Sequence, residues 1–333
     1  MYEAVQTLQA HGHQGYLVGG GVRDRLLHRR SYDYDIATDA SLIQLKALFK
    51  KTDAVGSRFG TLGVHVSGHR LDLSRLRTDS TATRDHRHPD AVQFIAHLPD
   101  DLARRDFTMN AIAYDPIANR LIDPFQGQQA LKQQQIIPVG EPDQRFKEDT
   151  LRIFRAYRFV AQLGFCLTVR IPVSRYGQYR LPAWTRLTQE FNALLHAPNA
   201  AQALALMQLD GWLDFLFPNA IWPSTWSTLA TQPTILKWPF FLYHSQCTLF
   251  TLPKAITTWS KRVIAHNFNW KRCCLTASDL ALSGHDLKDR GYTGVSIGQT
   301  QAILLDYIAT YPAYNTVASL DNYLNQNRNR QAN

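Results

Sequence analysis

The stretch Tyr16–Asp39, YLVGGGVRDRLLHRRSYDYDIATD, sets the architecture of the N-terminal half. Tyr16 to Val18 reads as a short apolar strand, Gly19, Gly20 and Gly21 as a tight turn, and Val22-Arg23-Asp24 as the opening of a helix. The segment through Asp33 and Asp35 reads as a second strand. Side chains i and i+2 on a strand leave the same face, so Asp33 and Asp35 are expected to present both carboxylates to one point. Two hard anionic oxygens there suit Mg²⁺, which takes carboxylate and phosphate ligands and keeps several waters. A glycine turn running into a helix leaves backbone N–H groups free at a positive dipole end, an anion site close to such a metal. Singly, an Asp-x-Asp pair is ordinarily surface charge and a glycine triplet ordinarily a turn. Their order within one short span is what points to phosphate chemistry.

Two later blocks carry matching chemistry. In Asp101-Leu-Ala-Arg104-Arg105-Asp106-Phe-Thr-Met-Asn110-Ala111, paired arginines supply donors for triphosphate oxygens, and Asp106 and Asn110 supply acceptors for ribose hydroxyls. On its own, such a cluster is more often a surface salt-bridge group. From Glu148 to Phe165 the pattern predicts a helix closed by Gly164. At about 100° per residue, Glu148, Asp149, Arg152 and Arg155 fall on roughly a third of its surface. These pairs serve equally well as simple i,i+3 ion pairs. A carboxylate beside a guanidinium is also an acceptor beside a fork of donors, which matches the hydrogen-bonding edge of cytosine or adenine.

In order, GG-x-VRD at Gly19–Asp24, DxDIAT at Asp33–Thr38, RRDFTMNA at Arg104–Ala111 and EDTLR at Glu148–Arg152 resemble the motifs of the bacterial tRNA CCA-adding enzyme and poly(A) polymerase family. Arg155-x-x-Arg158-Phe159 and Leu163-Gly164-Phe165 continue the likeness. His28 and Arg30 stand where the family commonly has Gly and Pro, and Gln126 departs from its DPFGG at Asp123–Gly127. The resemblance implies an α/β nucleotidyltransferase head, a small mixed sheet with helices, over residues 1–140. An all-α neck (141–197), body (198–275) and tRNA-binding tail (276–333) follow.

The resemblance also implies that Asp33 and Asp35 hold two Mg²⁺ ions, one activating the 3′ hydroxyl of an RNA end and the other steadying the triphosphate and departing pyrophosphate. Gly20, Gly21, Arg23, Arg104 and Arg105 are expected at phosphate, and Asp106 and Asn110 at the ribose or in support of the site. Asp149 and Arg152 are expected to select CTP and then ATP, with Arg155 and Arg158 also serving the nucleotide. Arg158 points away from Asp149 on an ideal helix, so a helix-packing ion pair is its competing reading. The expected activity is template-independent addition of C, C and A to a tRNA 3′ end from CTP and ATP. Poly(A), CC-only or A-only addition shares these motifs. A non-catalytic RNA-binding protein is a third reading, and the intact Asp33, Asp35 and Arg105 speak against it.

The chain has 333 residues, too many for one ordinary core. With 45% hydrophobic and 19% charged residues it is a folding protein rather than a disordered one. A net charge of +9 favours a polyanionic partner. No apolar run of membrane-spanning length and no secretory leader are expected, and Cys166, Cys247, Cys273 and Cys274 lack metal-ligand spacing. They read as reduced thiols in a cytoplasmic protein. No protein partner is implied, and a homodimer stays open.

Around the motifs, Tyr2–Ala10 and the capped run Asp39–Phe49 are expected as helices on the sheet, and Thr61–Val66 and Arg70–Leu76 as strands joined by a Ser67-Gly68-His69 turn. Asp72 on the second strand is a candidate third carboxylate, or simply part of a polar strand face. Arg77–Val92 is expected as a loop. Its Asp85, Arg87 and Pro89 match a family segment that assists the final adenosine addition, and a solvated connector is the alternative. Ile136–Val139 is expected as a last strand. Beyond residue 166 a wholly helical chain is expected, with Thr185–Leu195 (matching the family at Arg186 and Glu190) bracing the selecting helix. Its seven tryptophans, all after residue 183, are expected chiefly in the core. Lys254, Lys261, Arg262, Lys271 and Arg272 offer a track for tRNA phosphates, or a solvated face. Leu282–Leu305 resembles the CCA-adding tail, and Asn325–Asn333 is expected to be loose.

Overall fold

The computed structural model describes residues 1–31, 34–53, 60–79, 92–231, 237–246, 277, 280–310 and 316–331. Within them the chain divides into two compact units, Met1–Arg152 with Phe165–Arg170, and Ile153–Gly164 with Ile171–Asn333. Asp33, Asp85, Arg87, Pro89, the basic run from Lys254 to Arg272, Trp259, Trp270, Cys247, Cys273 and Cys274 lie outside the described residues. Cys166 is a free, exposed thiol.

The first unit is built on a seven-stranded mixed sheet. Its strands are β1 (Tyr16–Val18), β2 (Asp35–Thr38), β3 (Thr52–Asp53), β4 (Thr61–Val66), β5 (His69–Arg75), β8 (Ala113–Asp115) and β9 (Arg120–Ile122), and their order is β3-β4-β5-β2-β1-β8-β9. β2 and β5 run parallel while the other neighbours are antiparallel. Registered partners share a face of the sheet. One such row, Leu62, Leu73, Ile36 and Leu17, is apolar and buried. The adjacent row, Asp53, Gly63, Asp72, Asp35, Val18, Ala113 and Ile122, faces the other way and carries the carboxylates.

Helix α1 (Tyr2–Ala10) buries Ala4, Val5 and Leu8 completely. α2 (Gly20–Leu26) leaves β1 through Gly19, whose φ of 72° is the left-handed turn that glycine supplies at no steric cost. α3 (Leu42–Leu48) starts in a capping box between Ser41 and Gln44, as its sequence predicts. β4 and β5 meet in a two-residue turn with Ser67 and Gly68 both at positive φ, the twist a tight hairpin needs. On the carboxylate face, α4 (Leu98–Ala103) packs Leu98 and Leu102 into a cluster with Val18, Ala37, Ala111 and Ala113. That packing fixes where the helix ends, at Arg104.

Three expectations in this unit are corrected. The ends of the Arg77–Val92 segment are strands, not loop: β6 (Arg77–Asp79) pairs antiparallel with β7 (Val92–Phe94), which satisfies their backbone groups mutually. Of Ile136–Val139, only Ile136 belongs to a strand, β10 (Gln135–Ile136). That strand pairs in parallel with β11 (Cys166–Leu167), so the chain beyond residue 166 is not wholly helical. The rest of the segment hydrogen-bonds to the arginine block, through Thr108 N–H to Ile137 and Val139 N–H to Asp106. Finally, the single helix expected from Glu148 is two. α6 (Pro142–Glu148) stops where Asp149 turns extended, at φ −146°, and α7 (Leu151–Leu163) begins beyond it. Asp149 is the break because its carboxylate accepts the Leu151 N–H at 3.0 Å, the local bond that suits Asp to helix starts rather than interiors.

The second unit is helical: the remainder of α7, α8 (Val173–Tyr176), α9 (Trp184–Leu195), α10 (Ala200–Leu209), α11 (Trp212–Leu216), α12 (Ser227–Thr231), α13 (Lys237–Ser245), α14 (Gly284–Asp289), α15 (Val295–Thr310) and α16 (Val317–Gln331). Trp212 and Trp238 are fully buried and Trp226 nearly so, each indole N–H finding an acceptor: Ile171 O, Asn192 Oδ1 and Gln208 Oε1. Phe154 meets Trp212 edge to face at 5.3 Å. Trp212, Trp226 and Trp238 thus serve the core, as expected, while Trp184 and Trp222 are half-buried. A separate cluster joins Leu282, Leu287, Leu304, Ile308, Leu320 and Leu324. The C-terminal residues expected to be loose continue α16 as far as Gln331, because Leu320 and Leu324 anchor that helix in this cluster.

Candidate active site

Asp35 opens β2, flanked in register by Val18 on one side and Asp72 on the other. In a parallel pair in register the two carboxylates stand side by side on one face. Asp72 Oδ1 is buried and has no hydrogen-bond partner among the described residues, although Arg70 Nη2 lies 2.8 Å from it outside bonding geometry. An orphaned carboxylate oxygen beside a second carboxylate is chemistry that suits a hard divalent cation. Among the described residues no group of three or more His, Cys, Asp or Glu converges on one point. The described donor set is therefore this pair.

Gly19 links the acids to the arginine block. A Cβ built on it would stand 3.5 Å from Asp35 Oδ2 and 3.3 Å from Arg105 Nη1, so a bare glycine lets the carboxylate and guanidinium approach the same point. Immediately after it, the first N–H groups of α2, at Gly20 and Gly21, lack acceptors within their own helix.

Arg104 and Arg105 follow α4 and are both held by Asp101, whose side chain is almost wholly buried. Asp101 Oδ1 accepts Arg104 Nη2 at 2.7 Å and Nε at 3.0 Å, and Oδ2 accepts Arg105 Nη2 at 3.0 Å. Burial pushes the Asp101 carboxyl up, but the two guanidiniums outweigh it and hold it below the ordinary carboxylate value. Arg105 Nε is a buried donor with no hydrogen-bond partner among the described residues. The sequence reading gave Asp101 no role. Its spacing of three and four residues before two arginines was the signal, since those offsets share a helix face.

A second relay joins three expected residues. Arg23 Nη1 donates to Asn110 Oδ1 at 2.9 Å, and Asn110 Nδ2 donates to Asp106 Oδ1 at 3.0 Å. The same Asp106 oxygen accepts the Phe107 N–H. Asn110 lies in a 3₁₀ turn, Thr108–Asn110, against α5 (Gly127–Lys132), where a Cβ on Gly127 would meet the Thr108 carbonyl oxygen at 2.2 Å. Asp123 caps α5 from a distance, accepting the N–H groups of Gly127 and Gln128.

Arg152 reaches the same block. Its Nη2 donates to the Arg104 carbonyl at 2.9 Å, and its Nη1 to Glu148 Oε2 at 2.9 Å and the Arg145 carbonyl at 3.1 Å. Asp149 and Arg152 thus sit in the first unit with Arg104 and Arg105, though Asp149 is at a helix junction rather than on a helix face. Arg155 and Arg158 belong to the second unit, where Glu190 of α9 takes Arg158 Nε at 2.5 Å and lies 3.9 Å from Arg155. Arg158 also donates to Gln162 and lies over the Phe159 ring. Glu190 braces α7 as expected, and Arg158 makes the helix-packing ion pair that was its competing reading.

A mixed sheet that brings a carboxylate pair, a glycine-opened helix start and two buttressed arginines together defines a nucleotidyltransferase head. Residues 15–137 match the family model described as the Poly A polymerase head domain. Against known proteins, the chain is 45% identical over 215 residues to the CCA-adding enzyme of Geobacillus sp. (strain WCH70), covering 64% of this chain and 53% of that protein. It is 42% identical over 239 residues to the CCA-adding enzyme of Geobacillus thermodenitrificans, covering 71% and 58%. These matches span little more than half the length of those relatives. The crystal structure of the Bacillus stearothermophilus CCA-adding enzyme in complex with CTP superposes with a TM-score of 0.68 at 26% identity, covering 99% of this chain and 98% of that one. Residues 15–137 are thus a Poly A polymerase head domain by their match, and the chain is similar to CCA-adding enzymes.

Proposed function

We propose that this chain adds C, C and A to the 3′ end of tRNA, taking CTP and ATP without a nucleic-acid template and releasing pyrophosphate. The observation that carries the reading is the approach of Asp35 and Arg105 to one point across Gly19, with Asp72 in register beside Asp35. Relatives named CCA-adding enzyme, and a similar fold crystallised with CTP, support the choice of substrate. The setting proposed is cytoplasmic, and among the described residues no helix is long and apolar enough to cross a membrane.

Asp35 and Asp33, with Asp72 adjoining Asp35, would hold divalent cations, Mg²⁺ in the cell. Such ions, when bound, polarise the α-phosphate and lower the pKa of the attacking 3′ hydroxyl. The protein's own part is positioning. Arg105, fixed by Asp101, offers its unpartnered Nε and its Nη1 to triphosphate oxygens. Gly20 and Gly21 add backbone N–H groups, and Arg104 adds positive charge. The Arg23–Asn110–Asp106 relay fixes a set of polar edges for the ribose. Asp149 and Arg152 select the base by offering an acceptor and a fork of donors. Residues 141–197 act as the selecting neck, and 198–275 and 276–333 as body and tail carrying the tRNA.

The decisive experiment supplies the purified chain with tRNA lacking its 3′ end and with CTP and ATP, separately and together. Two cytidines from CTP alone and a completed CCA end from both are expected, and Asp35→Asn is expected to abolish both additions while leaving the melting curve intact. Adenosine tracts, CC alone or A alone would each replace the proposal by a sister activity. No transfer by the parent chain would leave an RNA-binding protein.

A further inference from the structure

The carboxylate row of the sheet contains a gap. Asp53, Gly63, Asp72 and Asp35 are registered neighbours on β3, β4, β5 and β2, so their side chains share one face. Gly63 contributes none, and the space over it is filled from the next strand. Arg70, two residues before Asp72 and therefore on the same face, lays its guanidinium there. A Cβ at Gly63 would stand 3.0 Å from Arg70 Nη2 and 3.2 Å from Nε. In that position Nη2 is 2.8 Å from Asp72 Oδ1 and Nε is 3.5 Å from Asp53 Oδ2. Asp53 is held in turn by His65 Nε2 at 2.7 Å. The guanidinium is therefore a cation seated between two carboxylates, one of them next to Asp35.

The contact with Asp72 is one of charge rather than bonding. Among the described residues Asp72 Oδ1 has no hydrogen-bond partner despite the short separation, so the guanidinium does not spend its lone pairs. A pair that is close, poorly angled and partly exposed is held weakly and yields readily to a stronger cation.

We propose that Arg70 is a built-in counter-cation of Asp72 and that it competes with the divalent ion for this carboxylate, which makes it a positioning residue that sets the affinity of the site for metal. The proposal rests on the reading of Asp35 as a metal ligand. Arg70 keeps two adjacent acids from repelling each other before the nucleotide arrives, and its long stem lets it swing from Asp72 toward Asp53 when a divalent ion takes its place. Gly63 leaves the room that the guanidinium fills, because a Cβ there would crowd it at 3.0–3.3 Å.

Binding of Mn²⁺ to the full chain, without nucleotide, tests this by the loss of the free-ion electron paramagnetic resonance signal, with a melting curve for every variant. Arg70→Gln is expected to tighten Mn²⁺ binding roughly threefold to tenfold, the scale of removing one partly screened like charge beside the ion. Gly63→Ala, which keeps Arg70 and shifts its tip by a few tenths of an ångström, is expected to tighten binding less than Arg70→Gln does. Asp72→Asn is expected to weaken binding, and Arg70→Gln added to it is expected to change nothing further. Unchanged or weaker Mn²⁺ binding in Arg70→Gln overturns the proposal, as does an equal gain in the Asp72→Asn background. Asp35→Asn separates the two readings. If it leaves Mn²⁺ affinity intact, Asp35 is not a ligand, while the comparison of Arg70→Gln with and without Asp72 still decides whether Arg70 acts through Asp72. A parent chain that binds no Mn²⁺ overturns both.

Discussion

Replacing Asp101 by Asn removes one charge and leaves the shape of the side chain almost unchanged. The carboxylate is nearly inaccessible, with 2% of its side chain exposed, whereas Arg104 and Arg105 keep 20% and 17% of theirs. Breaking a fully buried pair by removing one partner costs about 3–5 kcal/mol, and the residual water contact of the arginines lowers that to about 2–3 kcal/mol here. For a unit of this size, each kcal/mol moves the midpoint by roughly 2–4 °C, so the variant is expected to melt roughly 4–12 °C below the parent at pH 7. The pH dependence is a sharper test. The folded Asp101 carboxyl lies below its unfolded value because the two guanidiniums outweigh its burial. Its contribution is therefore complete above the unfolded carboxylate pKa of about 3.9 and is lost as pH falls through the folded value. The gap between the two melting temperatures should be constant near neutrality and close in acid. Freed from Asp101, Arg105 no longer stays beside Asp35, and kcat/KM for CTP should fall about tenfold, equivalent to about 1.4 kcal/mol of lost positioning. Calorimetry from pH 3 to 8 with single-nucleotide kinetics checks all three. A variant that melts with the parent at pH 7, or a gap that widens in acid, refutes the account of Asp101.

Gly127→Ala should destabilise the first unit by about 3 kcal/mol or more, because the new methyl meets the Thr108 carbonyl oxygen, a backbone atom that cannot step aside. An unchanged melting temperature would show that the 3₁₀ turn carrying Asn110 is soft. His28→Gly and Gln126→Gly should each stabilise by about 1 kcal/mol, since these residues hold φ of 54° and 59°, where a side chain is strained. Denaturant midpoints read that gain directly, and a loss at either position would mean that the side chain there makes a compensating contact.

Those two positions also show how much of the structure could be read in advance. His28 and Gln126 were visible as departures where the family commonly has glycine, and the positive φ at both supplies the physical reason for the preference. The head was legible because its signals are local: a glycine turn between short apolar runs, a capping box, alternating strands, an arginine pair three and four residues after Asp101. Asp35, Arg105, Arg23, Asn110 and Asp106 were predicted as a set, and Asp35 with Arg105 and Arg23 with Asn110 and Asp106 come together as two groups. Asp72 was legible only as a candidate third carboxylate. What places it beside Asp35 is the parallel pairing of β2 with β5, a long-range register that no local pattern encodes. The break at Asp149 was missed for the opposite reason. Helical spacing continues across it, and only the competition between a carboxylate and the helix for one N–H ends α6 there.

The return of the chain at Phe165–Arg170 has a practical bearing on anyone wishing to isolate the catalytic half. The polypeptide passes from one unit to the other after Arg152, comes back at Phe165 and leaves again after Arg170. A fragment trimmed at Gly140 would strip β10 of β11 and bare the edge that carries Ile136, itself wholly buried. Such a truncation invites aggregation through the unpaired strand. A stand-alone head should instead retain residues 141–152 and splice 165–170 back on through a short flexible bridge.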